Sequence, residues 1–263
     1  MTLFDTHTHD SFEGFDEDRE EMMTRGKNAG VVGKIQIGCD LASSQRAVDL
    51  ALLYENMWAS VGIHPCSVLP LSELPKALED LEALLKKYPQ KIVALGETGF
   101  DFFHADTPEL RALQEASLLE HIHFAREYNK TLVIHTRNAK EETLQFFRLY
   151  KTELPKRGVF HCFCEDSSFS EFATQELSYF LGIGGTLTYK KNDHIREAVQ
   201  KTPLEFLVTE TDAPYLAPQS YRGKRNESAY MTEVVECIAD IKNLPVQKCA
   251  EVLVENAKRL FSL

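Results

Sequence analysis

His7 and His9 stand one residue apart in the run Asp5-Thr6-His7-Thr8-His9. Alternate side chains of an extended segment share a side, so two imidazoles at this spacing converge on one cation. The competing reading of the pair is a core histidine that only hydrogen-bonds. Glu97, His135, His161 and Asp212 follow, each just past a short run with β-strand character. Four histidines and two carboxylates suit borderline cations such as Zn2+, Mn2+ or Fe2+, whereas carboxylate-and-water sites suit Mg2+. Six ligands exceed what one structural ion needs. They predict two divalent ions, Mg2+, Mn2+ or Zn2+, bridged by a carboxylate, with a water between them as the nucleophile of a hydrolysis.

The elements that must position these residues alternate in type. Runs rich in branched residues at 34–38, 59–63, 92–96 and 131–134, with shorter ones at 2–4, 158–160, 178–183 and 206–208, lie between helical patterns. Such alternation implies βα units and a parallel sheet, and eight strands close a (β/α)8 TIM barrel. Its active sites lie at the C-terminal face of the strands, where the six residues would meet. Thr107-Pro108 reads as a helix N-cap followed by proline, and Asn138 with Glu141 has capping-box spacing. After Pro245, the residues Val246, Cys249, Ala250, Leu253, Ala257 and Leu260 recur at helical spacing. Without a linker, repeat or low-complexity tract, residues 1–263 read as a single domain.

Composition narrows the class. The chain has 263 residues, 43% hydrophobic and 26% charged, which describes a folded globular protein. The opening Met1-Thr2-Leu3-Phe4 leads into acids and histidines, predicting neither a signal peptide nor a membrane span, and hence a cytoplasmic protein. Cys39, Cys66, Cys162, Cys164, Cys237 and Cys249 lack Cys-x-x-Cys spacing and read as free thiols. A net charge of -11 works against non-specific attraction to polyanions, so a nucleic-acid substrate must be held locally. His121 and His123 fall within a helical pattern and read as packing or surface residues, while His104 and His194 read as loop residues.

Several motifs in order resemble the TatD family of metal-dependent hydrolases, the TatD-type deoxyribonucleases within the amidohydrolase-like barrels. They are Asp5-Thr6-His7-Thr8-His9, Gly62-Ile63-His64-Pro65, Gly96-Glu97-Thr98-Gly99-Phe100-Asp101, Ile134-His135-Thr136-Arg137, His161-Cys162-Phe163, Gly185-Thr186-Leu187-Thr188, Glu210-Thr211-Asp212-Ala213-Pro214 and Arg222-Gly223-Lys224-Arg225-Asn226-Glu227. The resemblance covers nearly the whole chain. It implies that His7, His9 and Asp212 hold one ion, His135 and His161 the other, and that Glu97 bridges them. Asp212 would accept the proton of the attacking water, with Glu210 supporting it.

The family's activity implies hydrolysis of DNA. His64 and Arg137 then become candidate substrate contacts, as do Arg225 in a local basic patch with Lys190, Lys191, Arg222 and Lys224, and Tyr189, which could stack on a base. Tyr215 shares that stacking reading. Phe100 and Phe102-Phe103 replace the usual leucine and tyrosines, Cys164-Glu165-Asp166 replaces a small turn, and Ser228 replaces a proline. None of these is a ligand position. Two other readings compete: hydrolysis of an amide, lactone or ester, including deacylation of aminoacyl-tRNA, and a non-catalytic metal-binding protein. Related amidases bridge their ions with a modified lysine on the fourth strand, where this chain has Glu97. DNA is the expected partner, with no protein partner evident and the chain a monomer.

Overall fold

A computed structural model describes residues 1–104 and 107–263. Its elements in chain order are β1 (Leu3–Thr8), α1 (Arg19–Ala29), β2 (Val31–Ile37), α2 (Leu41–Leu53), β3 (Met57–Val61), α3 (Leu74–Lys87), β4 (Ile92–Asp101), α4 (Pro108–Glu127) and β5 (Thr131–Arg137). They continue with α5 (Lys140–Leu149), β6 (Gly158–Phe160), α6 (Ser167–Glu171), β7 (Phe180–Ile183), α7 (Asp193–Lys201), β8 (Leu207–Thr209), α8 (Met231–Lys242) and α9 (Val246–Phe261). The strands form one eight-stranded sheet whose neighbours follow chain order from β1 to β8. With helices between them, this is the (β/α)8 barrel class that the alternating pattern predicts. Among the described residues no helix is long and apolar enough to cross a membrane.

Each expected strand is present, but three run further than their apolar runs. β1 ends at Thr8, β4 at Asp101 and β5 at Arg137, so His7, Glu97 and His135 lie inside strands rather than after them. Pairing explains the extension. Thr98 through Asp101 stay in register with Ile134 through Arg137, and Thr8 bridges Ala213, so the ladder continues where hydrophobicity has stopped.

Internal contacts divide the chain into two compact units, 1–35 with 161–263, and 36–160. In the first, α9 packs on β1 and β8, burying Cys249, Ala250, Leu253, Ala257 and Leu260 as the periodicity requires. Each large side chain so buried contributes roughly 1.5–3 kcal/mol. Asn256, buried on the same helix, donates to the carbonyls of Leu204 and Leu207 at 2.8 Å each and anchors the entry to β8. His194 lies in the first turn of α7 rather than in a loop.

In the second unit β3, β4, β5 and β6 pair in parallel, with α2 against β3 and α4 against β4. Thr107 caps α4 through the Leu110 amide, as expected. The capping box at Asn138 is absent: α5 starts at Lys140 with no side-chain cap, and Asn138 is left-handed at φ 54°. Because β5 runs to Arg137, the chain must turn at once, and asparagine tolerates the positive φ that this turn takes. The capping box occurs at α2, between Asp40 and Ser43.

His121 is fully buried on α4. Its Nδ1 meets the Ser117 carbonyl at 2.7 Å and its Nε2 accepts from the Ile63 amide at 3.1 Å, which makes it a neutral packing residue. Burial pushes its pKa down to about 4. His123 pairs with Glu153 at the surface.

Candidate metal sites

In the first unit, His7 near the end of β1, His9 just beyond it, and His161 and Asp212 just past β6 and β8, come together. His7 Nε2 lies 3.6 Å and His9 Nε2 3.4 Å from Asp212 Oδ1, while the His7 and His161 rings stack with centroids 3.9 Å apart. Donor atoms of His7, His161 and Asp212 all lie within 4.8 Å of one another. Two ligands each about 2.1 Å from a tetrahedral cation stand roughly 3.4 Å apart, so the separations from Asp212 match donors that share an ion. Burial alone would raise the Asp212 pKa, but His9, His7 and His161 outweigh it and hold the carboxyl below its usual range. Cys162 and Asp212 are left-handed, at φ 47° and 55°, turning the chain just past β6 and β8.

What surrounds these donors fixes them. Asp5, pushed up to about 7 by burial, accepts from the Thr211 hydroxyl and amide and the Ser228 hydroxyl, tying β1 to the segments after β8. Glu210 Oε1 accepts from the Cys162 amide at 2.5 Å and lies 3.6 Å from His161 Nδ1, so its carboxylate faces His161. Glu210 Oε2 is buried without a hydrogen-bond partner among the described residues. Only glycine at 182 leaves it room, because a Cβ there would lie 2.1 Å from that oxygen. An orphaned carboxylate oxygen behind a histidine whose neighbours are spaced for an ion fits a cation-binding role.

In the second unit, Glu97 on β4 lies between two histidines. His135 Nδ1 is 2.7 Å and His64 Nε2 3.2 Å from Glu97 Oε1. His64 Nδ1 accepts from the Cys66 amide, which leaves Nε2 to carry the proton toward Glu97. The other nitrogen of His135 lies 3.2 Å from Asp101 Oδ2. A neutral imidazole donates from one nitrogen only, so a histidine facing carboxylates on both sides is either charged or turns one nitrogen to a cation. The second is the carboxylate-histidine-cation arrangement, with Asp101 holding Nε2 and Nδ1 facing the ligand side.

Burial would raise the pKa of Asp101, but hydrogen bonds from His135 and His104 outweigh it and keep the acid ionised. Asp101 was not singled out from the sequence. The signal was present in its even spacing from Glu97, which puts both acids on one face of a strand. Gly99 between them has φ +144°, and a Cβ there would meet the His135 carbonyl at 2.1 Å.

The remaining candidates divide. Arg137 is exposed at the end of β5, its guanidinium over the Phe103 ring at 3.9 Å. Tyr189 donates its hydroxyl to the Ala217 carbonyl and lies under Arg222, at 4.3 Å. Arg225 donates to the Gly14 carbonyl and to Asp18 and covers the Phe15 ring, so it clasps two loops. Tyr215 is exposed, with its ring centroid 6.5 Å from that of His9.

A family model described as TatD related DNase matches residues 4–262. The chain belongs to the TatD family of metal-dependent hydrolases. It is 33% identical to the metal-dependent hydrolase YabD of Bacillus subtilis over 99% of both chains. To YjjV of Escherichia coli it is 32% identical over 99% of this chain and 98% of that one. The crystal structure of YjjV, a TatD homologue, superposes with a TM-score of 0.89 over 99% of this chain and 98% of the other. The TatD-family hydrolase of Entamoeba histolytica, at 18% identity and a TM-score of 0.85, shares the fold.

Proposed function

We propose that this TatD-family hydrolase is a divalent-metal-dependent phosphodiesterase that cleaves DNA from the end of a strand. Arg137 carries the reading. A guanidinium held through its face by Phe103 keeps its N–H edge directed outward, and that edge fits two phosphate oxygens. It stands two residues past His135 on the same strand. A neutral ester, amide or lactone offers such a cation a carbonyl oxygen but no paired anionic oxygens.

In this reading His7, His9 and Asp212 hold one ion, His135 and His161 the other, and Glu97 serves both. Support comes from the family assignment and from the (β/α)8 class, which sends strand C-termini to one face. When bound, the ions polarise a phosphate oxygen and lower the pKa of water. Asp212, kept ionised by its histidines, accepts the proton from the attacking water. His64 donates from Nε2 toward Glu97 and fixes the orientation of that carboxylate. Lys91, the lysine nearest to Glu97 along the chain and just before β4, is spent on the carbonyls of Tyr54, Glu55 and Met57, which argues against a modified-lysine bridge of the amidase kind. A net charge of -11 works against holding a long polyanion, which favours a strand end over long duplex.

The test measures bound metal, then turnover of 5'-labelled single-stranded DNA beside ester, lactone and aminoacyl-tRNA substrates, with chelator and Glu97→Ala controls. Chelator-sensitive release of nucleotides from one end is expected. Metal-dependent turnover of the carbonyl substrates alone would replace the nuclease reading.

A further inference from the structure

A second group of donors in the 36–160 unit lies outside the six-ligand set. We propose that Cys66, Asp101 and His104 form a third cation site, open to solvent and selective for a thiophilic divalent ion such as Zn2+ or Co2+. One ligand atom from each residue lies within 4.8 Å of the other two. The donors come from two separate segments: Cys66 from the 3-10 turn Pro65–Ser67 after β3, and Asp101 and His104 from the end of β4 and the turn that directly follows it. A sulfur, an imidazole nitrogen and a carboxylate oxygen select a softer ion than oxygen-only sites do. Cys66 and His104 are exposed while Asp101 is buried, so three protein donors leave a position for water.

The hydrogen bonds of Asp101 show where a cation would enter by exchange. Oδ1 accepts from the Phe103 and His104 amides at 3.0 and 2.9 Å. Oδ2 faces His135 Nε2 at 3.2 Å and His104 Nδ1 at 2.9 Å. A carboxylate offers about four lone-pair positions. The first three hold the acid in place, and the fourth, shared with His104, is where an ion would replace a proton. His104 then ligates through Nδ1 with little movement.

The scaffold is rigid where a site requires it. Gln114, fully buried on α4, donates from Nε2 to the carbonyls of Pro65 and Asp101 and accepts at Oε1 from the Asp101 amide. One side chain therefore rivets the Cys66 turn to the end of β4. The Cys66 amide is bound to His64 Nδ1, which fixes the turn from the other side. Partial desolvation of the exposed residue, with Asp101 and Glu97 nearby, pushes the Cys66 thiol up to about 11, so it carries a proton that an incoming cation must displace. The proposal does not depend on whether the enzyme cuts DNA.

Cobalt separates this site from the other ligands, none of which is sulfur. Metal-free full-length protein titrated with Co2+ is expected to develop a near-ultraviolet thiolate-to-cobalt charge-transfer band. Cys66→Ser and Cys66→Ala should each abolish that band and lower bound cobalt by one equivalent. His104→Gln should weaken binding at that site at least tenfold, and Co2+ should protect Cys66 from alkylation by a maleimide. His7→Ala should reduce cobalt bound by the six-ligand set yet leave the band, so failure of the two-ion reading shows up separately. Absence of the band while cobalt binds elsewhere would overturn the proposal. So would a band that survives loss of Cys66.

Discussion

The two units present their donors differently. In the first, His7, His9 and His161 are buried around Asp212, and the two imidazole nitrogens nearest its Oδ1 stand 3.4 and 3.6 Å away. In the second, His135 is in hydrogen-bond contact with Glu97 at 2.7 Å, and the group is scarcely more exposed than Asp212. One group is spaced for a cation; the other has closed on itself and must open to ligate. A pre-spaced set costs little to load, while the hydrogen-bonded set must exchange a hydrogen bond for an ion.

If both groups serve one reaction, a cut in either is equally severe. His135→Ala and Asp212→Ala are each expected to lower kcat/KM by about 10^3-fold or more, the several kcal/mol that metal catalysis supplies, with circular dichroism unchanged. A large loss in one and normal turnover in the other would break the equivalence and reduce the centre to a single group.

Burial by itself does not distinguish a ligand histidine. His121 is as deeply buried as His7, yet both its nitrogens meet backbone groups, and burial lowers its pKa from 6.5 to about 4. The unfolded chain binds the proton more readily, so this histidine's contribution is complete above pH 6.5 and is lost as pH falls toward 4. The gap corresponds to about 3 kcal/mol. His121→Gln, which can accept from the Ile63 amide and donate to the Ser117 carbonyl, should flatten the pH dependence of the denaturation midpoint over that window. An unchanged slope would mean that the proton goes elsewhere.

Much of this was legible in the sequence because ligand chemistry and strand periodicity are local. The eight strands, the Thr107 cap, the α9 face and the family follow from short runs. What stayed hidden depends on partners far along the chain. Glu210 serves His161 because β7 and β8 pair, with Gly182 leaving space for the carboxylate. Arg225 reads as part of a basic patch until Asp18 and Gly14 fold against it. Asn138 has cap spacing, but pairing of β5 to its last residue takes that asparagine for a turn.

Each unit also steadies one histidine with a carboxylate, Glu210 on His161 and Asp101 on His135. Removal of such support weakens metal binding by about 10–100-fold. Asp101→Asn, made in a Cys66→Ser background so that only the His135 role is read, should fall in that range by chelator competition, and so should Glu210→Gln. A response from one alone would show that only that unit relies on a fixed imidazole.

The smallest effects separate the two arginines. Arg137 is stacked and outward; Arg225 is spent on Gly14, Asp18 and Phe15. Arg137→Ala should raise KM for labelled single-stranded DNA about tenfold, the value of one lost phosphate contact, while leaving an uncharged ester unaffected. Arg225→Ala should leave that KM unchanged and cost about 1 kcal/mol of stability through the lost clasp. The reverse pattern, a weaker KM from Arg225 and none from Arg137, would move the phosphate grip from the strand that carries His135 to the loops that Arg225 clasps.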